Sequence, residues 1–267
     1  MLRFENKVAV ITGGGSGIGL AISRRFIAEG GRAVVADIDE TRLADVEEEF
    51  GDRVLCVRTD VTKEHEVEGL VARAVERFGD VSVGFNAAGA NRGAYLLDMA
   101  EADWDYTSDL CLKGVMFSMK HLARRMVKQG YGGAIVNIAS LCSHVPLHAG
   151  AAYSAAKAAV EMLTKNGALE FAEYGIRVNA VLPGLVQTAL TSRHFENEAT
   201  MQAYRDRIPM GRTALPDEVA GPALFLATDD AGYVSGASLL VDGAWSVSGY
   251  PDMRRFREPP VFTQRSD

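Results

Sequence analysis

Residues 7–19 read K-V-A-V-I-T-G-G-G-S-G-I-G. Lys7 to Ile11 is a short apolar run rich in β-branched residues, the composition of a strand buried on both faces of a parallel sheet. Thr12 to Gly19 is a glycine turn. Ile18 to Glu29 then places Ile22, Phe26 and Ile27 at helical spacing, until Gly30 and Gly31 stop the helix. A strand that enters a helix through glycines brings free backbone N–H groups and a positive dipole end to one point, where a pyrophosphate can sit. A glycine turn alone also fits a tight turn that binds nothing, so the weight rests on its placement between strand and helix.

Outward from that turn the alternation continues. Arg32 to Ala36 is a strand ending at Asp37, and Glu40 to Phe50 is a charged helix. Strands are expected at Arg53–Val57, Val81–Phe85, Ala134–Ala139, Arg177–Leu182 and Ser238–Val241. Helices are expected at Lys63–Phe78, about Glu101–Gln129, Ala152–Glu173 and Pro216–Ala227. Such alternation predicts βαβ units with right-handed crossovers. The fold class is therefore α/β: a doubly wound (Rossmann-type), mostly parallel sheet with helices on both faces and ligands at the carboxyl ends of the strands. No repeat or linker interrupts the chain before Val247, so residues 1–247 are expected to form one NAD-binding and catalytic domain. Residues 248–267, rich in Pro and Arg, form a C-terminal tail that is either an arm or disordered.

The chain has 267 residues and a formal charge of −7. Without a basic stripe, nucleic acid and anionic membrane surfaces are poor partners. Cys56, Cys111 and Cys142 are odd in number and none pair at C-x-x-C spacing, which disfavours a disulfide framework or a structural zinc site. No metal site is expected. The N-terminus lacks a signal-peptide core and no apolar run reaches membrane-spanning length, so the expected location is the cytoplasm.

Asp37 closes the second strand near the offset at which an acid accepts from a ribose 2′-hydroxyl and repels a 2′-phosphate. Ile38 follows where a basic residue would welcome that phosphate, and neither Ser16 nor Arg32 supplies a strong clamp for it. NAD is therefore favoured over NADP. Tyr153 and Lys157 stand four apart at the start of a helix and so share a face. A nearby ammonium favours the phenolate of a group whose ordinary pKa is about 10. Ser140 ends the strand G-A-I-V-N-I-A-S, at the edge where a doubly wound sheet places its chemistry. Its hydroxyl can hold a carbonyl oxygen while Tyr153 transfers the proton.

Together these residues resemble the short-chain dehydrogenase/reductase family. The resemblance is carried by T-G-G-G-S-G-I-G from Thr12, Asp37, Asp60-Val61, N-A-A-G from Asn86, Ser140, Y-S-A-A-K from Tyr153, R-V-N-A-V-L-P-G from Arg177 and V-D-G-A from Val241. It implies that Gly13, Ser16, Gly17, Ile18 and Gly19 wrap the pyrophosphate, and that Asp37 and Ile38 meet the adenosine ribose. Asp60 and Val61 would flank the adenine. Asn86, Ala88 and Gly89 would line the central ribose region. Tyr153 and Lys157 would face the nicotinamide ribose, with Pro183, Gly184, Val186 and Thr188 over the carboxamide. It also implies a homotetramer and a small-molecule alcohol or ketone as substrate.

Two departures stand out. Ala87 replaces a frequent second Asn of N-A-A-G. Cys111, in L-C-L-K-G, stands where the family usually has an Asn that helps hold a relay water, and a thiol is a weak donor and acceptor. Cys111 is thus counted with Ser140, Tyr153 and Lys157 among the candidate catalytic residues. The main expectation is hydride transfer between NAD(H) and a secondary alcohol or ketone, with Tyr153 as acid/base. The alternatives are a nucleotide-binding regulator disarmed at Cys111 and an NADP-dependent carbonyl reductase. Thr191 to Met210 reads as a lid over the substrate, with His194, Phe195 and Tyr204 as contacts. Leu141, Cys142, His144, Leu147 and His148 follow the serine as further candidates for the pocket wall.

Overall fold

The computed structural model describes residues 2–249. The chain forms seven strands, β1 (Val8–Thr12), β2 (Arg32–Asp37), β3 (Val54–Arg58), β4 (Val83–Asn86), β5 (Gly133–Ile138), β6 (Ile176–Pro183) and β7 (Ser238–Val241). They build one sheet in the order β3-β2-β1-β4-β5-β6-β7. Every pairing is parallel, from β1 with β2 to β6 with β7. The expected doubly wound fold is the fold observed. Of the expected tail, everything beyond Gly249 lies outside the described residues.

Helices cover both faces, which is why the strands read as unbroken apolar runs. Alternate residues of one strand enter different cores: Ala9 and Ile11 of β1 belong to one, Val8 and Val10 to the other. On the first face α1 (Gly17–Ala28), α2 (Glu40–Phe50) and α9 (Pro216–Ala227) supply Ile22, Phe26, Leu43, Val46, Val219 and Leu224. On the second face α3 (Glu64–Phe78), α5 (Gly114–Gln129) and α6 (Ala151–Phe171) supply Leu70, Val71, Leu122, Met126 and Val160.

The long helix expected from Glu101 is bent rather than continuous. It begins as α4 (Glu101–Ser108), loosens into a π-turn at Asp109–Lys113, and resumes as α5. Such bulges widen one turn of the hydrogen-bond ladder and favour functional positions. Cys111 is at the centre of this one. The stretch read as a lid carries helices α7 (Ser192–Phe195) and α8 (Glu198–Arg207), the latter capped by the Asn197 side chain accepting from the Thr200 N–H at 3.0 Å.

The connections reverse direction between β1 and β4, which lie side by side although β2 and β3 intervene in the chain. This opens a crevice above the carboxyl ends of the two strands, and ligands of doubly wound folds bind at such a switch point.

Candidate active site

The crevice holds a cleft of about 470 Å³. Gly13, Ser16, Gly17, Ile18, Gly19, Asp37, Ile38, Asp60, Val61, Ala88, Gly89 and Thr188, all read from the sequence as cofactor-facing, line it. The turn from β1 into α1 is tight. Gly13 is left-handed, with φ of 65°, and a Cβ on Gly19 would lie 2.1 Å from the Gly13 carbonyl oxygen. Ser16 precedes α1 without a side-chain hydrogen bond to its first turn, so those N–H groups stay available.

At the end of β2, Asp37 is buried and accepts from the Gly15 N–H at 3.1 Å and the Asp39 N–H at 3.2 Å. Its carboxylate is therefore fixed against the cleft, while Ile38 is exposed. Arg42 also lines the cleft, and its guanidinium donates to the Ser16 hydroxyl at 3.3 Å and pairs with Asp39 at 3.2 Å. The sequence reading passed over this cation. Arg42 lies one turn into α2, and only the packing of α2 beside the glycine turn brings it to Ser16.

Not every expected residue reaches the cleft. Asn86 is buried below it and donates to the Asn137 side chain at 2.7 Å, which in turn donates to Thr164 at 2.9 Å. Val186 is buried where its segment bridges Ala214. Both support the wall from behind.

A second cleft of about 310 Å³ holds Ser140, Tyr153, Pro183 and Gly184. Ser140 follows β5, and its Oγ accepts from the Cys142 N–H at 3.1 Å, which orients the hydroxyl. Tyr153 lies in the first turn of α6. One turn on, Lys157 is almost fully buried and donates to the Ile138 carbonyl at 2.6 Å. Its ammonium lies 5.6 Å from the centre of the Tyr153 ring. The two clefts share Ala189 and Leu190. Lys157 and Cys111 line neither, and both lie behind Gly89 of the first cleft, where a Cβ would stand 3.6 Å from the Lys157 Nζ and the Cys111 Sγ. The Cys111 thiol donates to the Ala90 carbonyl at 3.1 Å and so ties the π-turn to the loop after β4.

The electrostatics follow from burial. Tyr153 is pushed well above its ordinary range, first by desolvation and then by the neighbouring thiols of Cys111 and Cys142, while the Ser140 hydroxyl opposes this. Desolvation moves Lys157 the other way, down from its ordinary value. Burial also raises the Cys142 thiol.

The outer wall of this second cleft is aromatic. His194 of α7 meets Tyr204 of α8 edge-on, with ring centres 5.4 Å apart, and Tyr204 meets Trp245 edge-on at 5.6 Å. His194 and Tyr204 line the cleft as expected, with Leu141, Cys142 and Leu147. Phe195, His144 and His148 do not. His144 turns instead to Glu161 of α6, at 2.8 Å. Trp245 and Asn91 line the cleft and were not read from the sequence. Among the described residues no helix is long and apolar enough to cross a membrane, and no group of three or more potential ligands could hold a metal ion.

Comparison with known proteins agrees with this fold. A family model described as Enoyl-(Acyl carrier protein) reductase matches residues 13–246. The 3beta-hydroxysteroid dehydrogenase 2 of Eggerthella lenta is 38% identical over 249 residues, covering 90% of this chain and 95% of that protein. The cis-4-hydroxycyclohexanecarboxylate dehydrogenase of Sinomonas cyclohexanicum is 42% identical over 248 residues, covering 91% and 98%. The crystal structure of gox2181 superposes with a TM-score of 0.87 at 35% identity, covering 92% of this chain and 98% of that one. Motifs, parallel sheet and relatives along nearly the whole length agree: the chain is an oxidoreductase and belongs to the short-chain dehydrogenase/reductase family.

Proposed function

We propose that the chain is an NAD-dependent dehydrogenase of secondary alcohols borne on a ring, acting reversibly on the matching ketone. The observation that carries this reading is the convergence of Ser140 and Tyr153 on one cleft that shares Ala189 and Leu190 with the glycine-lined one, with Lys157 one turn along α6 from Tyr153. The aromatic wall suits a ring, since flat or puckered apolar rings pack well on aromatic faces. The two named relatives act, by their names, on a hydroxysteroid and a hydroxycyclohexane acid.

The nicotinamide, when bound, supplies the site that accepts or donates the hydride. The protein's own groups handle the proton. The Tyr153 Oη takes it from the carbinol during oxidation and returns it during reduction. Ser140 Oγ holds the substrate oxygen in line with Tyr153. Lys157, fixed by Ile138, stabilises the phenolate from below, which offsets part of the cost of burying it. Pro183, Gly184 and Thr188 close the cofactor side, and the rigid turn at Gly13–Gly19 receives the pyrophosphate.

Cys111 fits an active enzyme. Its thiol is engaged with Ala90 and holds the β4 loop against Lys157, a positioning role that needs no amide. Asp37 favours NAD, while Arg42 at the Ser16 hydroxyl gives NADP a specific foothold and supports a second reading in which both cofactors bind. We further propose one catalytic domain over residues 1–247, a cytoplasmic location, and a homotetramer. The last draws on an apolar surface between α5 and α6 that includes Met116, Val127, Leu163 and Phe171. Reduction of NAD is to be screened against cyclic alcohols, hydroxysteroids, sugar alcohols and 3-hydroxyacyl compounds. Turnover confined to ring alcohols is the expected result, and turnover only of open-chain substrates refutes the reading.

A further inference from the structure

The second cleft is lined by neutral side chains with a single exception. Asn91, Ser140, Cys142, Tyr153 and Thr191 are among its polar residues, and no Asp or Glu lines it. His194 is held below its ordinary pKa by partial burial and by the charge of Arg193, so its imidazole is neutral at physiological pH. Arg193 is thus the one charged residue in the lining. It lies exposed on α7 at the rim, whereas Ser140 is buried at the floor.

Two nearby arginines are engaged, while among the described residues Arg207, which does not line the cleft, has no carboxylate partner. Arg205 pairs with Glu198 within the lid, and Arg212 pairs with Glu218 at 2.6 Å. Among the described residues Arg193 has no such carboxylate partner, in a chain whose formal charge is −7. A guanidinium is a planar fork matched to a carboxylate. One guanidinium balances one negative charge. A phosphate dianion would leave a second charge uncompensated beside Leu190, Tyr204 and Trp245.

We propose that Arg193 receives a carboxylate carried by the substrate, so that the substrates are cyclic hydroxy acids whose hydroxyl reaches Ser140 and Tyr153 while the acid stays at the rim. This rests on the ring-alcohol reading above and narrows it.

The test separates binding from turnover. Calorimetry on the NAD-saturated protein compares cyclohexanecarboxylate with cyclohexanecarboxamide, neither of which can be oxidised at a carbinol. The acid is expected to bind about two- to fivefold more tightly, as for a charge pair at an exposed site. Arg193→Gln should abolish that preference and Arg193→Glu should invert it. Arg207→Gln, which removes the same charge from the lid away from the lining, should keep it. Equal affinities, binding of neither probe, or a preference that survives Arg193→Gln overturns the proposal. Kinetics with a hydroxycyclohexanecarboxylate and its methyl ester then distinguish the two readings. Turnover of both with no preference for the acid sinks the carboxylate site and leaves the ring-alcohol reading standing. Preferred binding of the acid with no turnover of any ring alcohol does the reverse.

Discussion

Replacing Asp37 by Asn keeps the shape of the side chain and removes its charge. Two effects follow, and their sizes can be set from the geometry. The carboxylate accepts two buried backbone N–H groups, from Gly15 and Asp39. The amide retains one acceptor and turns an NH₂ toward the other donor. Since a hydrogen bond to a charged group contributes about 1.5–3 kcal/mol, the free protein should lose roughly 1–3 kcal/mol of stability. The second effect is on the cofactor. A 2′-phosphate charge about 5 Å from the carboxylate, at an effective dielectric near 20, is repelled by about 3 kcal/mol. Solvent at the open cleft cuts this to about 1.5 kcal/mol, still close to tenfold in affinity. The wild-type protein should therefore prefer NADH over NADPH by about tenfold or more. Asp37→Asn should bring the ratio toward one by tightening NADPH, helped by Arg42. Isothermal calorimetry with both cofactors and urea denaturation of the free protein measure the two effects separately. A wild-type ratio near one, or a ratio unchanged in the variant, would falsify the reasoning.

Tyr153→Phe keeps the packing and removes only the proton carrier, so turnover should fall about 10²–10⁴-fold with NADH binding retained; turnover near wild type would remove Tyr153 from its role. Cys111→Asn should leave the rate unchanged or raise it, whereas a silent wild type revived by this substitution would establish the regulator reading. Gly19→Ala forces a methyl to within 2.1 Å of the Gly13 carbonyl, and the displaced turn should weaken NADH by more than about tenfold while costing about 1–3 kcal/mol of stability. Normal melting with normal NADH affinity would contradict that. The raised pKa of Tyr153 fixes the sign of the pH dependence. Oxidation needs the phenolate, so its rate should climb into the alkaline range, while reduction needs the phenol and should fall there. An oxidation profile already flat above neutral pH would refute the assignment of burial as the dominant cause.

Much of this molecule was legible because neighbours in sequence are neighbours in function. The turn from β1 into α1 is a single continuous segment, and Tyr153 and Lys157 share a helix face, so spacing sufficed. The expected bounds Glu40–Phe50 and Pro216–Ala227 are those of α2 and α9. What escaped was assembled by tertiary packing. Arg42 reaches Ser16 only because α2 lies against the glycine turn. Trp245 follows β7, and the last strand's pairing with β6 carries it to Tyr204. The π-turn at Asp109–Lys113 leaves no periodic signature, because one widened turn barely shifts the phase of a long helix. His144 looked like a pocket residue from its position after Ser140, yet its hydrogen bond with Glu161 turns it away.

The aromatic chain from His194 to Trp245 also equips the protein with its own optical gauge. The sequence contains two tryptophans, and the other, Trp104, lies on α4 among the exposed residues. With Trp104→Phe, indole emission would come from Trp245 alone, in edge contact with the ring that α8 contributes. Any movement of the lid changes the polarity and quenching around that single fluorophore. The expected opening and closing of the stretch read as a lid can therefore be tested by stopped flow without an attached dye; a signal that stays constant through substrate binding would refute it.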